Sequence, residues 1–252
     1  MCMVGTVSGV CKSIVTGKRD RRIIPIYCGK WSCHTCRDRK AKRTLARALN
    51  GGIVLRGKQD GFRDKYNYKL LTLTAPGKEW REKHSKPEAL ALLQEGFQKV
   101  IKALRHSGKF DFLRVVEAQK DGFPHFHVLL AGPGIRRKEV LRDIVRLWGE
   151  RYGFGFVKMN ALKSGTSIEK AISYCLKYLF KEPMTLPKRK RLFTASQGAL
   201  APAEKKHTWE QAIFRMGTTV EYVVTKVLGF TARETDFTGD SWAIPYFETC
   251  PF

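Results

Sequence analysis

The stretch "GFPHFHVLL", residues 122–130, holds the pair whose types and spacing could do chemistry, His125 and His127. Side chains on a strand alternate between faces, so the two imidazoles project one way while Phe126 and Val128 project the other. The preceding run, "DFLRVVEAQ" (111–119), places Glu117 and Gln119 together on one face, and the turn "KDGFP" joins the runs as a β-hairpin. Two imidazoles and the Glu117 carboxylate would then converge on one divalent ion and leave its other positions open; Gln119 is the alternative third ligand. Such a trio suits an ion that polarises a phosphate oxygen, and equally a non-haem iron oxygenase. An H-x-H pair by itself is more often two ordinary strand histidines.

Further along, "SYCLKYLFK" (173–181) carries Tyr174 and Tyr178 one helical turn apart, each followed three residues later by a lysine, Lys177 or Lys181. Alone, this pattern is an amphipathic helix with tyrosines inward and lysines in solvent. Near the N-terminus, Cys28, Cys33 and Cys36 have the C-x4-C-x2-C spacing that sets thiolates around a tight turn. With Cys11 as fourth ligand they suit a tetrahedral structural Zn²⁺, and His34 is the substitute if Cys11 does not reach. Unliganded, reduced thiols are the alternative; Cys175 and Cys250 read as incidental thiols.

The rest of the composition narrows the chemistry. Lys and Arg number 47 against 23 Asp and Glu, a net charge of +24, and that excess points to a polyanionic partner, DNA or RNA. A small-molecule oxygenase has no evident need of so basic a surface. No apolar run approaches the roughly 18 residues of a membrane span, and the N-terminal segment lacks the order of a secretory signal, so a reducing cytoplasm is expected and the seven cysteines are not expected to pair. Arg37, Arg39, Lys40, Lys42 and Arg43, with Lys188, Arg189, Lys190 and Arg191, are candidate phosphate contacts that would grip DNA rather than read it. No G-x-x-x-x-G-K-[ST] loop occurs, so strand separation would fall to a host helicase.

These residues need elements to position them. "HTCRDRKAKRTLARAL" (34–49) reads as a basic helix and "YNYKLLTLTAP" (66–76) as a strand stopped by Pro76. "KPEALALLQEGFQKVIKALRHSG" (86–108) reads as an amphipathic helix, followed by the hairpin, a helix at "IRRKEVLRDIVRLWGERYG" (135–153), a strand at "GFVKMNAL" (155–162) and the tyrosine helix at 167–181. Strand, helix, strand, strand, helix, strand, helix predicts an α+β, ferredoxin-like (RRM-like) palm, a central antiparallel sheet with helices packed on one face, plus an N-terminal zinc-binding element. We divide the chain into a zinc-binding element and basic helix (1–50), a catalytic domain (51–182) and a basic C-terminal extension (183–252), in which "TWEQAIFRMGTTVEYVVTKVLGF" (208–230) reads as helical.

Taken in order, "LLTLTAP" (70–76), "PHFHVLL" (124–130) and "YCLKYLFK" (174–181) resemble the three motifs of the HUH endonucleases that start rolling-circle replication. The doubled tyrosines are most similar to the initiators of small single-stranded-DNA phages, and "YCGKWSCHTCRDRKAKR" (27–43) is similar to the cysteine-rich start of some microvirus replication proteins. The resemblance spans roughly residues 10–182. It implies a site-specific DNA nickase and strand transferase in which Mg²⁺ or Mn²⁺, held by His125, His127 and Glu117, activates the scissile phosphate. Tyr174 or Tyr178 would attack it, leaving a 5′-phosphotyrosine and a 3′-OH that a host polymerase extends, and Lys177 and Lys181 would assist. The rivals are a transposase of the same chemistry and a non-catalytic, zinc-containing nucleic-acid binder.

Overall fold

A computed structural model describes residues 3–13, 16–58, 68–105, 109–135, 138–159, 166–181, 191–203, 207–216, 236–238 and 241–244, with the backbone alone for Met3, Val4, Val7, Cys11 and Lys138 and from 207 onward. The chain forms two compact units, Met1–Cys36 with Ala203–Phe252, and Arg37–Pro202.

The Arg37–Pro202 unit is built on a five-stranded antiparallel sheet. Its strands are β3 (Tyr68–Thr74), β4 (Asp111–Ala118), β5 (Pro124–Ala131), β6 (Val157–Met159) and β7 (Phe193–Ala195), in the order β6-β3-β5-β4-β7. The fold class is α+β, as the element order predicts. The hairpin forms where expected: Gly122, at φ +82°, takes the left-handed turn conformation that glycine accommodates. Asp121 Oδ1 accepts from the Phe123 amide at 3.0 Å beside it. The resulting register sets Glu117 opposite His125 and Val115 opposite His127. On the other side of β5, Thr74 and Thr72 face the same two histidines.

Helices flank both faces of this sheet, not one. The helix α4 (Lys86–Leu104) packs Phe97 edge-on against Phe126 at 6.0 Å between centroids, on the face opposite the histidines. On the histidine face, the helix α6 (Ile168–Leu176) sends the Cys175 thiol to the His127 carbonyl at 3.7 Å. The reason lies in β5: Phe126, Val128 and Leu130 on one side and His127 and Leu129 on the other are all buried, so both faces exclude water. α4 starts at a capping box, Ser85 with Glu88, reinforced by Pro87 in its first turn. The remaining helices are α1 (His34–Leu49), α2 (Gly52–Lys58), α3 (Lys78–Glu82) and α5 (Lys138–Val145), which runs on as a π-helical turn over Arg146–Arg151.

These units do not follow the 1–50, 51–182 and 183–252 division. From Arg37 the basic helix goes with the central sheet, tied by Arg47 Nε donating to the Ala201 carbonyl at 2.7 Å and the Ala201 amide to the Arg47 carbonyl at 2.8 Å. Residues 193–195 extend the same sheet as β7.

The other unit contains a second antiparallel sheet, β8-β1-β2-β10-β9, formed by β1 (Met3–Ser13), β2 (Arg19–Tyr27), β8 (His207–Met216), β9 (Asp236–Thr238) and β10 (Ser241–Ile244). Sequence pattern anticipates neither the β1–β2 hairpin nor this sheet, and it presents 208–230 as helical. Residues 208–216 are instead strand, paired with β1. "HTWEQAIFRM" supplies Thr, Trp, Ile and Phe, which favour strands, and its backbone partner lies at the far end of the chain.

Candidate functional site

The site grows from β4, β5 and the segment that follows α6. His127 Nε2 lies 2.6 Å and His125 Nε2 3.1 Å from Glu117 Oε2, and the two Nε2 atoms are 2.9 Å apart. Two nitrogens each about 2.0–2.1 Å from one metal and at right angles to one another would be ~2.9 Å apart, so the spacing fits adjacent positions around a single ion. Three atoms that offer lone pairs converge here, a donor set that suits a cation at their centre. His127 Nδ1 lies 3.4 Å from Thr72 Oγ1, a contact that helps to orient the ring with Nε2 turned toward Glu117. Gln119, the alternative ligand, instead accepts from Arg81 at 3.3 Å through its Oε1.

The electrostatics match that geometry. Burial pushes His127 down to about 4, against the opposing hydrogen bond to Glu117, and burial also lowers His125. Both rings are therefore neutral at pH 7, the form that binds metals. Burial by itself would raise Glu117, but hydrogen bonds from Lys181 and His127 outweigh it and hold the carboxylate ionised. Lys181 Nζ reaches Glu117 Oε1 at 2.5 Å.

α6 begins at Ser167, whose hydroxyl accepts from the Lys170 amide at 3.3 Å, and buries Ile168, Ala171, Ile172, Cys175 and Leu176. That i, i+3, i+4, i+7, i+8 stripe leaves the tyrosines on its flank rather than in the core. The chain tightens to a 3₁₀ turn over Lys177–Phe180, and Tyr178 lies flat on His127, with 3.4 Å between centroids and 1° between planes. Tyr174 meets Tyr178 edge-on at 6.2 Å and is 39% exposed. Lys177 Nζ sits 3.7 Å from the Tyr174 ring centroid and 5.0 Å from that of Tyr178; Lys181 Nζ lies 4.8 Å from the latter. Burial, then the Tyr174 hydroxyl and the Glu117 charge, push the Tyr178 phenol above its ordinary range.

The second cluster lies outside this unit. Sγ atoms of Cys28, Cys33 and Cys36 all fall within 4.8 Å of one another, with Cys28 and Cys36 3.6 Å apart. Thiolates about 2.3 Å from a tetrahedral zinc stand roughly 3.8 Å apart, so these positions fit Zn²⁺. Gly29, at φ +66°, turns the backbone so that its amide donates to Cys36 Sγ at 3.3 Å. His34 is exposed at the start of α1 and is not one of the cluster. Cys11 lies on β1 opposite Asp20, where the register with β8 slips, and its side chain lies outside the described residues.

Of the predicted phosphate contacts, Lys42, Arg43 and Arg191 are exposed, Arg39 and Lys40 half-buried, and Arg37 buried. Lys188, Arg189 and Lys190 lie outside the described residues. Residues 68–183 match a family model described as a replication-associated protein. Over that span the chain is similar to replication-associated proteins. The match opens at the first residue of β3 and closes just past Lys181, so it includes Glu117, both histidines and both tyrosines. No curated protein and no solved structure matches the chain. Among the described residues no helix is long and apolar enough to cross a membrane.

Two neighbours of the site are not foreseen from sequence. Phe156 is 83% exposed, and its amide donates to Thr74 Oγ1 at 2.8 Å, across the sheet from His125. Nothing in "GFGF" separates this phenylalanine from Phe154, which packs against Trp148. Arg81 braces the hairpin turn, donating to the Pro76 carbonyl at 2.7 Å and pairing with Asp121.

Proposed function

We propose that this protein is a replication initiator that nicks single-stranded origin DNA and rejoins it. The observation that carries the reading is the contact of Tyr178 with His127, which brings a phenol against the metal-ligating trio. The ferredoxin-like palm is supported by the strand order β6-β3-β5-β4, fourth-first-third-second in the predicted set. Glu117, His125 and His127 would hold Mg²⁺ or Mn²⁺, which when bound withdraws charge from the scissile phosphate and raises its electrophilicity.

Tyr178 makes the first attack. Its phenolic oxygen bonds to phosphorus in line with the leaving 3′-oxygen, and the P–O3′ bond breaks. The phenolic proton passes to solvent, the leaving oxygen takes up a proton to become a 3′-OH, and the 5′-phosphate remains on the tyrosine. Lys177, between the two rings, neutralises charge on the phosphoryl oxygens. Tyr174 takes the second cleavage, one tyrosine holding the parent strand while the other cuts the regenerated origin. The stored phosphodiester energy permits religation without ATP. Zn²⁺ on Cys28, Cys33 and Cys36 is structural, and a host helicase and polymerase supply strand separation and extension.

The test uses single-stranded oligonucleotides tiling the DNA that encodes the protein, incubated with Mn²⁺ and resolved in SDS. One or a few oligonucleotides should give a covalent protein–DNA band that Tyr174→Phe with Tyr178→Phe abolishes. An adduct surviving in the double variant, or none from any oligonucleotide, refutes the reading; binding without an adduct would indicate a non-catalytic binder.

A further inference from the structure

We propose that the reverse face of the central sheet carries a second, separate site, a pocket built around Arg114 and Thr194 that takes a phosphoryl group. Arg114 stands in the middle of β4, three residues from Glu117 and therefore on the opposite face from the metal-ligating trio. It is only 4% exposed. Its guanidinium lies 4.9 Å from the Phe97 centroid and 4.7 Å from the Phe126 centroid, held between two aromatic rings.

That position is costly for an ion. No carboxylate among the described residues pairs with Arg114, and its Nε is buried without a hydrogen-bond partner. Burial alone lowers its pKa, to about 10, so the group stays charged at neutral pH. The aromatic faces offset part of the desolvation, but they accept none of the fork of N–H donors. An apolar side chain of similar size would serve packing better.

The pocket supplies what a phosphate requires. Thr194 on β7 is the direct cross-strand partner of Arg114, and its hydroxyl is also buried without a partner. Lys102 and Arg105, from α4 and the turn after it, line the same cleft of about 410 Å³, together with Phe97 and Phe112. Its charged lining residues are all cations. A guanidinium fork and a hydroxyl inside, with two cations at the mouth, match the tetrahedral oxygens and double charge of a phosphoryl group better than a single carboxylate. The ligand is either a free phosphorylated molecule or the backbone of a DNA strand, which present the same chemistry to Arg114.

Calorimetric titration of the full chain, at fixed ionic strength and without divalent ions, tests this with four probes: pyrophosphate, deoxythymidine 5′-monophosphate, single-stranded oligo-dT and succinate. Saturable binding of a phosphate probe should weaken at least tenfold in Arg114→Met and measurably in Thr194→Val. Arg114→Met should melt no lower than the unaltered protein, because it removes an unpaired buried charge. A loss seen with pyrophosphate or the mononucleotide identifies a free ligand; a loss confined to oligo-dT identifies the strand backbone. If Arg114→Met does not fold, Arg114→Lys and Thr194→Val decide, and binding equal to the unaltered protein in both overturns the site. Succinate binding as tight as phosphate, or unchanged binding of all probes in Arg114→Met, overturns it too. Because nicking is not part of the readout, failure here leaves the nickase reading untouched, and the reverse holds.

Discussion

The two clusters that could hold metal differ in donors and in what carries them. Cys28 and Cys33 sit on the link between a strand and a helix and Cys36 in the first turn of that helix, three sulfurs drawn together around a glycine turn. Glu117, His125 and His127 sit on neighbouring strands of one sheet, with Lys181 and Tyr178 crowding the same space. Thiolates on a loop close around zinc and hold the loop in shape, whereas harder ligands fixed on strands leave coordination positions for something that arrives. On the proposed reading, the scaffold, as much as the ligand, separates a structural ion from a working one.

That contrast can be broken by experiment. The largest effect is expected at the working cluster: His127→Ala should lower Mn²⁺-dependent adduct formation by more than ~10²-fold, since loss of even an outer partner of a metal ligand costs 10- to 100-fold. Its melting temperature and its salt-sensitive DNA affinity should stay near those of the unaltered protein, and undiminished nicking would remove the metal assignment. Next, Cys33→Ser should release zinc, measured by a colorimetric chelator, and lower the melting temperature; an unaltered protein that contains no stoichiometric zinc ends the structural-zinc idea. Between the tyrosines, Tyr178→Phe should slow the first cleavage more than Tyr174→Phe does in single-turnover gels, and equal rates would erase the order assigned to them.

Smaller effects sharpen the comparison by touching neither cluster. Phe156→Ala should weaken single-stranded DNA binding by about 1–3 kcal/mol, the worth of one base stacked on an aromatic ring, with adduct chemistry intact at saturating DNA. Affinity that does not change would make Phe156 a bystander. Smallest of all, Lys42→Ala with Arg43→Ala should reduce the slope of log affinity against log salt by up to ~2, about one for each phosphate left without its cation. An unchanged slope places the DNA elsewhere.

Legibility followed the range of the forces involved. Alternation and turn chemistry made β3, β4 and β5 readable, because their hydrophobic pattern and the "KDGFP" turn are local, and the same locality brought Glu117 opposite His125. The tyrosine segment was readable from helical spacing, but the contact of Tyr178 with His127 was not, because it depends on where α6 packs. Long-range pairing hid the rest: Thr194 beside Arg114 and Phe156 beside Thr74 have partners about 80 residues away in sequence. The strand β8 failed for the same reason, since its residues are also tolerable in a helix until β1 is beside them.

One consequence follows from the pairing of β1 with β8. Gly5 lies opposite Met216, so β1, once it leaves the ribosome, has to wait for a partner made roughly two hundred residues later. At 5–20 residues per second, that wait is on the order of ten to forty seconds. The last strand of the Arg37–Pro202 sheet, β7, is made about twenty residues before Met216, so the order of synthesis completes the unit carrying Glu117, His125 and His127 ahead of the unit that holds most of the thiols. During that interval the β1–β2 hairpin has an unpaired edge, and the nascent chain is then most exposed to strand-to-strand association with its neighbours.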